Sequence, residues 1–186
     1  MGINKENNRK RILVVAIILL AVALDQCFKV YVKTHFQLGE ARQVLPWFWI
    51  CFVENDGMAF GIEWFSKLLL TLFRIAAVGV LGWYIHRLIT KYADTPHPWG
   101  YLVMIALVTA GAIGNIIDCL FYGLIWDYAP LCYGKVVDML YFPLITDSAG
   151  ETLFFRPVFN LADSCITVAV LAILIFFRDD LNESLK

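Results

Sequence analysis

VFNLADSCITVAVLAILIFF, residues Val158–Phe177, decides the class of fold. A helix crossing a bilayer needs about 20 consecutive apolar residues, and this stretch supplies them. Its one acid is Asp163. An ionisable group beside so much apolar sequence is costly and usually functional. A second phrase, Val136-Val137-Asp138, also sets an aspartate against apolar neighbours. Two carboxylates held near a membrane surface are the minimal equipment for acid/base hydrolysis of a peptide bond.

Working outward, the excess of apolar residues repeats. The chain has 186 residues, 60% hydrophobic and 17% charged, against roughly 45–50% and about 25% in a soluble domain. The excess falls into four blocks, Ile12–Val32, Leu68–Ile85, Gly100–Ile117 and Val158–Phe177. They predict spans over approximately 12–32, 68–85, 100–120 and 158–177, in a single membrane-embedded domain covering 1–186. The fold class expected is membrane all-α, with four transmembrane helices. A cleaved signal peptide is the alternative for the first block, but the apolar character resumes at Val30-Tyr31-Val32 and completes a span.

Net charge is −1, so no basic footprint points to nucleic acid. Lys5, Arg9, Lys10 and Arg11 precede the first span, and His86, Arg87 and Lys91 follow the second. The other two connections carry mostly acids. The positive-inside rule therefore puts the N-terminus and the 86–99 loop in the cytoplasm, and four spans return the C-terminus there. The outer segments are then 34–66 and 122–157. The first is dense in aromatics (Trp47, Phe48, Trp49, Phe52, Phe60, Trp64, Phe65), which suit the membrane interface. Asp56-Gly57 between Trp47–Val53 and Met58–Ile62 reads as a hairpin turn. A small strand-containing platform on the outer leaflet is expected, followed by a long second outer loop.

This orientation gathers polar residues at one level. Asp25, Gln26 and Lys29 lie at the outer end of span one, Asn115 and Asp118 at that of span three, and Asn160 and Asp163 at that of span four. Asp138 lies in the loop between the last two. Asp25 and Lys29 are spaced i,i+4 with the acid first, the better order for a helical pair. Gly111, Gly114, Asn115 and Asp118 form a small-and-polar stripe suited to close helix packing. Asn160, Asp163, Ser164 and Thr167 form another. Spacing alone leaves four acids eligible for a catalytic pair. A proton-coupled transporter is the competing class, but it expects acids spread through the membrane depth.

Five of these segments resemble, in order, the motifs of lipoprotein signal peptidase (signal peptidase II), a bacterial membrane aspartyl protease family. They are Asp25-Gln26 with Lys29, Asn55-Asp56-Gly57-Met58-Ala59-Phe60, Gly114-Asn115-Ile116-Ile117-Asp118, Val136-Val137-Asp138 and Phe159-Asn160-Leu161-Ala162-Asp163. The resemblance implies an endopeptidase of the inner membrane that cleaves prolipoproteins N-terminal to a diacylglyceryl-modified cysteine. It selects Asp138 and Asp163 as catalytic. Asn55, Gly57, Asn115, Asp118 and Asn160 then position substrate or brace the platform, while Asp25 with Lys29 supports the bundle. Membrane lipids and the precursor are the expected partners, and a monomer is expected. No His/Glu cluster suggests zinc, and no cofactor is implied.

Two carboxylates sharing a proton suffice, because like charges at about 3 Å cannot both ionise. Asp163, near the start of span four, is favoured by the helix dipole as the base, leaving Asp138 as the acid. The chain departs from the family pattern in three places. Cys119 stands where an arginine usually follows Asp118, Ala110-Gly111 replaces a glycine pair, and the stretches from 118 to 138 and 138 to 163 are longer. Arg74 in span two reads as snorkelling to the outer interface; the other reading has it supply charge near Asp118. Cys51 and Cys132, both expected outside, could pair, though nothing in the sequence requires it.

Overall fold

The computed structural model describes residues 2–56, 64–91, 99–146, 152–154 and 157–186. Helix α1 runs over Gly2–His35, α2 over Trp64–Lys91 and α3 over Trp99–Ile117. The third helix continues through a π-helical turn, Asp118–Tyr122, into a last turn, α4, over Gly123–Ile125. Leu161–Phe176 forms α5 and Arg178–Ser184 forms α6. Three helical spans, Glu6–His35, Lys67–Lys91 and Trp99–Ile125, are long and apolar enough to cross a membrane. The pair α5 and α6, bent by 88° at Phe177, makes a fourth if counted as one broken span. Of the four transmembrane helices expected, three are thus present among the described residues, and the fourth falls on the bent pair. Large side chains such as Leu19, Phe73, Val80 and Phe176 stand exposed along these helices. That outward apolar surface is what hydrocarbon, not water, would cover.

By internal contacts the chain divides into two units. One comprises Met1–Ala23, Leu72–Ile116 and Ala162–Lys186. Its core is aliphatic, with Val14, Ile85, Leu88, Ile89, Leu102, Ile105, Ala106 and Ile173 packed around the fully buried Tyr101. Gly111 is required there. A Cβ on it would lie 2.4 Å from the Ala162 carbonyl oxygen and 2.7 Å from Ile166 Cγ1, so only hydrogen lets α3 approach α5 this closely. At the other end of this unit, Ser184 of α6 is buried and hydrogen-bonds the Tyr84 hydroxyl, which also meets that of Tyr101.

The other unit comprises Leu24–Thr71 and Ile117–Leu161 and holds the sheet. Strands β1 (Ala41–Leu45), β2 (Phe48–Asn55) and β3 (Val136–Tyr141) pair antiparallel in that order. A two-stranded piece, β4 (Ile145–Thr146) with β5 (Thr152–Phe154), lies farther along. The sheet is therefore built from both segments expected outside, because β3 comes from the second. Its hairpin turns at Pro46-Trp47, between β1 and β2. The turn expected at Asp56-Gly57, with its return strand over 58–62, lies outside the described residues from Gly57 onward. Val32, Phe36, Phe52, Tyr122, Val137 and Met139 form this unit's apolar core.

The π-helical turn has a clear partner in the chain that follows it. Widening the helix frees carbonyls from the i→i−4 ladder. The Cys132 N–H bonds the Leu120 oxygen at 3.2 Å, and the Gly134 N–H bonds that of Cys119 at 2.9 Å. The returning backbone passes so close that a Cβ on Gly134 would meet the Asp118 oxygen at 2.0 Å. Glycine is the residue that fits.

Candidate active site

Strand β3 is paired on both edges, and this sets the surroundings of Asp138. On one edge Val53 lies opposite Asp138 and Asn55 opposite Val136, so Asn55 is the diagonal same-face neighbour of Asp138. On the other edge Phe159 pairs with Leu140 through hydrogen bonds of 2.7 and 3.0 Å. That bridge carries Asn160 to the aspartate. The Asn55 Nδ2 donates to Asp138 Oδ2 at 3.0 Å, and the Asn160 Nδ2 donates to Oδ1 at 2.8 Å. Asp138 is 3% exposed and Asn160 is fully buried. Each carboxylate oxygen thus has a carboxamide donor, which offsets the cost of taking the group out of water.

A second buried polar group braces this strand. Lys29 lies 2.9 Å from Asp25 Oδ2 and 2.8 Å from Asp118 Oδ2, with all three side chains buried. The i,i+4 pair on α1 forms, but Lys29 also reaches across to the π-helical turn. Gln26 donates to Asp118 Oδ1 at 2.9 Å and accepts from the Tyr122 hydroxyl at 3.1 Å. The Val137 N–H, next to Asp138, donates to Asp118 Oδ2 at 3.2 Å. The cation that meets Asp118 is therefore Lys29; Arg74 is half-buried on α2. Asp25, Lys29 and Asp118 act on β3 through its backbone.

Asp163 belongs to the other unit, in the first turn of α5. It is half-buried, and Asn115 Nδ2 donates to its Oδ1 at 2.8 Å. The start of a helix carries unsatisfied N–H groups and a positive partial charge, both suited to a carboxylate. Each aspartate selected from the sequence is thus met by an asparagine selected beside it. Gly57 lies outside the described residues. Cys51 and Cys132 are free thiols.

Several polar residues next to this group were not singled out from the sequence. Tyr122 stands four residues after Asp118, and Lys33 four after Lys29, so helical spacing was the available signal. The Lys33 ammonium pairs with Glu54 and lies 5.0–5.4 Å from the ring centroids of Phe52, Trp126 and Tyr128. Burial pushes the Tyr128 hydroxyl up to about 12, so it stays neutral, and it accepts from the Lys135 N–H at 2.8 Å. Lys135 joins the same charged group through the β2–β3 pairing, and Lys67 joins it from α2, neither of which spacing along the chain reveals.

Helices long and apolar enough to cross a membrane, and a buried carboxylate held by two asparagines, are features of a membrane enzyme. The family model described as signal peptidase II matches residues 17–178, and the chain belongs to that family of peptidases. Among curated relatives, a lipoprotein signal peptidase of Porphyromonas gingivalis is 42% identical over 188 residues, covering 88% of this chain and 82% of that one. One from Streptococcus pneumoniae is 30% identical over 176 residues, covering 94% and 98%. A solved bacterial membrane enzyme superposes with a TM-score of 0.66 at 26% identity, over 92% of this chain and 90% of the other. The chain is an integral membrane protein of the signal peptidase II family.

Proposed function

We propose that this chain is an aspartyl endopeptidase that removes signal peptides from diacylglyceryl-modified prolipoproteins, cutting N-terminal to the lipidated cysteine. The observation that carries the reading is the buried Asp138 carboxylate with an amide donor on each oxygen. One of those donors, Asn160, stands three residues before Asp163, the second carboxylate of the pair. In this reading Asp163, half-buried at a helix start, is the base: it has access to water and a local field that favours its charge. Asp138 carries the shared proton and donates it toward the scissile carbonyl oxygen. Asp163 takes a proton from water as the oxygen attacks the carbonyl carbon. The tetrahedral intermediate then collapses as Asp163 passes its proton to the leaving amine and a hydroxyl of the intermediate returns one to Asp138, so the C–N bond breaks, the carboxylic acid forms and the dyad regains its starting state. The proton belongs to the pair, so a pH–rate profile reports two values for the dyad and not one for each residue.

Asn55, Asn115 and Asn160 hold the two carboxylates, and Gly57 helps position the substrate backbone. Asp25, Lys29 and Asp118 brace β3 without touching the reacting atoms. The basic N-terminal tail and the 86–99 loop support placing both termini in the cytoplasm, with the site at the outer surface of the inner membrane. There a precursor held as a membrane helix presents its lipidated cysteine by lateral diffusion. The chain works as a monomer. Cleavage of a lipidated precursor peptide, compared with the same peptide lacking the lipid, tests the reading. Cleavage of the lipidated form alone is expected, and equal turnover of both would overturn the assigned substrate.

A further inference from the structure

Asn55 is flanked by two acids, and both are tied to one cation. Lys135 precedes Val136, the β3 residue opposite Asn55. Its ammonium lies 3.7 Å from Glu54 Oε2 and 3.7 Å from Asp56 Oδ2. The far oxygens are held as well: Lys33 pairs with Glu54 Oε1, and Lys67 lies 2.8 Å from Asp56 Oδ1. Five side chains therefore alternate in sign as Lys33, Glu54, Lys135, Asp56 and Lys67. Lys33 and Lys67 are nearly covered, whereas Lys135 is about a third exposed at 34%. The Lys135 backbone is itself fixed by the bond from its N–H to the Tyr128 hydroxyl.

We infer that Lys135 is a positioning residue, which clamps Glu54 and Asp56 on either side of Asn55 and so aims the Asn55 amide at Asp138. Two carboxylates brought to the same point repel. With Lys135 between them the repulsion becomes attraction, and the backbone of 54–56 is held from the side away from Asp138. Side chains alternate across a strand, so a clamp on Glu54 leaves the Asn55 side chain directed to the opposite face. There its Nδ2 meets Asp138 Oδ2 at 3.0 Å. Exposed pairs of this kind contribute little to stability. Their effect is on where Asn55 points, and small misplacements of a group that holds a catalytic carboxylate are costly to turnover.

The inference rests on the reading of Asp138 as catalytic and is tested with the full-length protein and a lipidated precursor peptide. In Lys135→Met, kcat should fall about tenfold, as expected for a slight misplacement of the carboxylate, while KM changes by less than about twofold. The unfolding temperature should stay at the wild-type value, and Lys135→Arg should restore most of kcat. Raising salt from about 0.05 to about 0.5 M should depress kcat in the wild type and leave Lys135→Met unaffected, because the half-exposed pairs are screened. Full kcat in Lys135→Met, a matching drop in unfolding temperature, or failure of arginine to rescue would each overturn the inference. A wild-type protein that cleaves no precursor would instead count against the proposed function. In that case the Asn55 side-chain amide resonance still decides: it should shift in Lys135→Met and return in Lys135→Arg, and an unmoved resonance overturns the inference.

Discussion

Two aspartates in this chain sit in different settings. Asp138 is buried with both oxygens bonded by asparagine side chains, whereas Asp163 is half-buried at the start of α5 with Asn115 as a donor. Asp138→Asn and Asp163→Asn should each fold and each lose turnover by about a thousandfold or more, the scale seen when one member of a catalytic unit is removed. Precursor cleavage together with thermal unfolding in detergent checks this, and near-normal turnover in either would remove that residue from the dyad. Lys29 predicts the opposite pattern. Removing the ammonium in Lys29→Met leaves Asp25 and Asp118 buried without their cation, at a cost of about 3–5 kcal/mol. The unfolding temperature should drop steeply in that variant, and an unchanged value would show that the cluster does not brace the fold. The identities of these residues were readable along the chain, because an acid beside apolar sequence stands out. Tyr122 and the Val137 N–H were not, since each becomes important only through what it touches.

At the scale of elements, two glycines decide how closely chains approach. Gly111 lets α3 lie against α5, and Gly134 lets the return loop lie on the π-helical turn. Gly134→Ala places a methyl carbon 2.0 Å from a backbone oxygen, a contact that must be relieved by moving backbone. A loss of about 1–3 kcal/mol is expected from overpacking of this kind. Because the displaced oxygen is that of Asp118, whose carboxylate bonds the Val137 N–H, turnover should fall with stability in the same variant. Thermal unfolding and cleavage measured side by side check it, and a variant as stable as wild type would mean the loop is free to shift. The small-residue stripe on α3 was visible in the sequence because small residues recur at helical spacing. The value of Gly134 was hidden, since the contact it avoids is made by a residue sixteen positions earlier. The β1–β2 hairpin was not expected for a related reason. Asp56-Gly57 has the composition of a tight turn, whereas β1 and β2 join at Pro46-Trp47, where apolar neighbours mask the turn signal.

For the whole molecule, the distribution of charge predicts the topology. A reporter that matures only outside the cytoplasm, fused after Lys186, should stay inactive, and the same reporter inserted in the 92–98 loop should too. Activity at either position would contradict the positive-inside orientation. The fourth crossing is the sensitive one, because α5 has only 16 residues before the 88° bend into α6. The buried Ser184 and its bonds to Tyr84 and Leu181 hold α6 in place.

The class of protein, its apolar segments and the acids beside them followed from local sequence alone. Length, hydropathy and charge bias act on each segment independently of its neighbours, so they can be read one stretch at a time. Only the tertiary structure decided which side chains meet. Strand β3 joins the sheet begun by β1 and β2, which brings Asn55 to Asp138, and the bridge from Leu140 to Phe159 on its other edge brings Asn160. Pairings between segments some eighty residues apart depend on register and on packing of both strand faces, and a register shift of one residue would turn Asn55 away from the aspartate. No local signal along the chain carries that information.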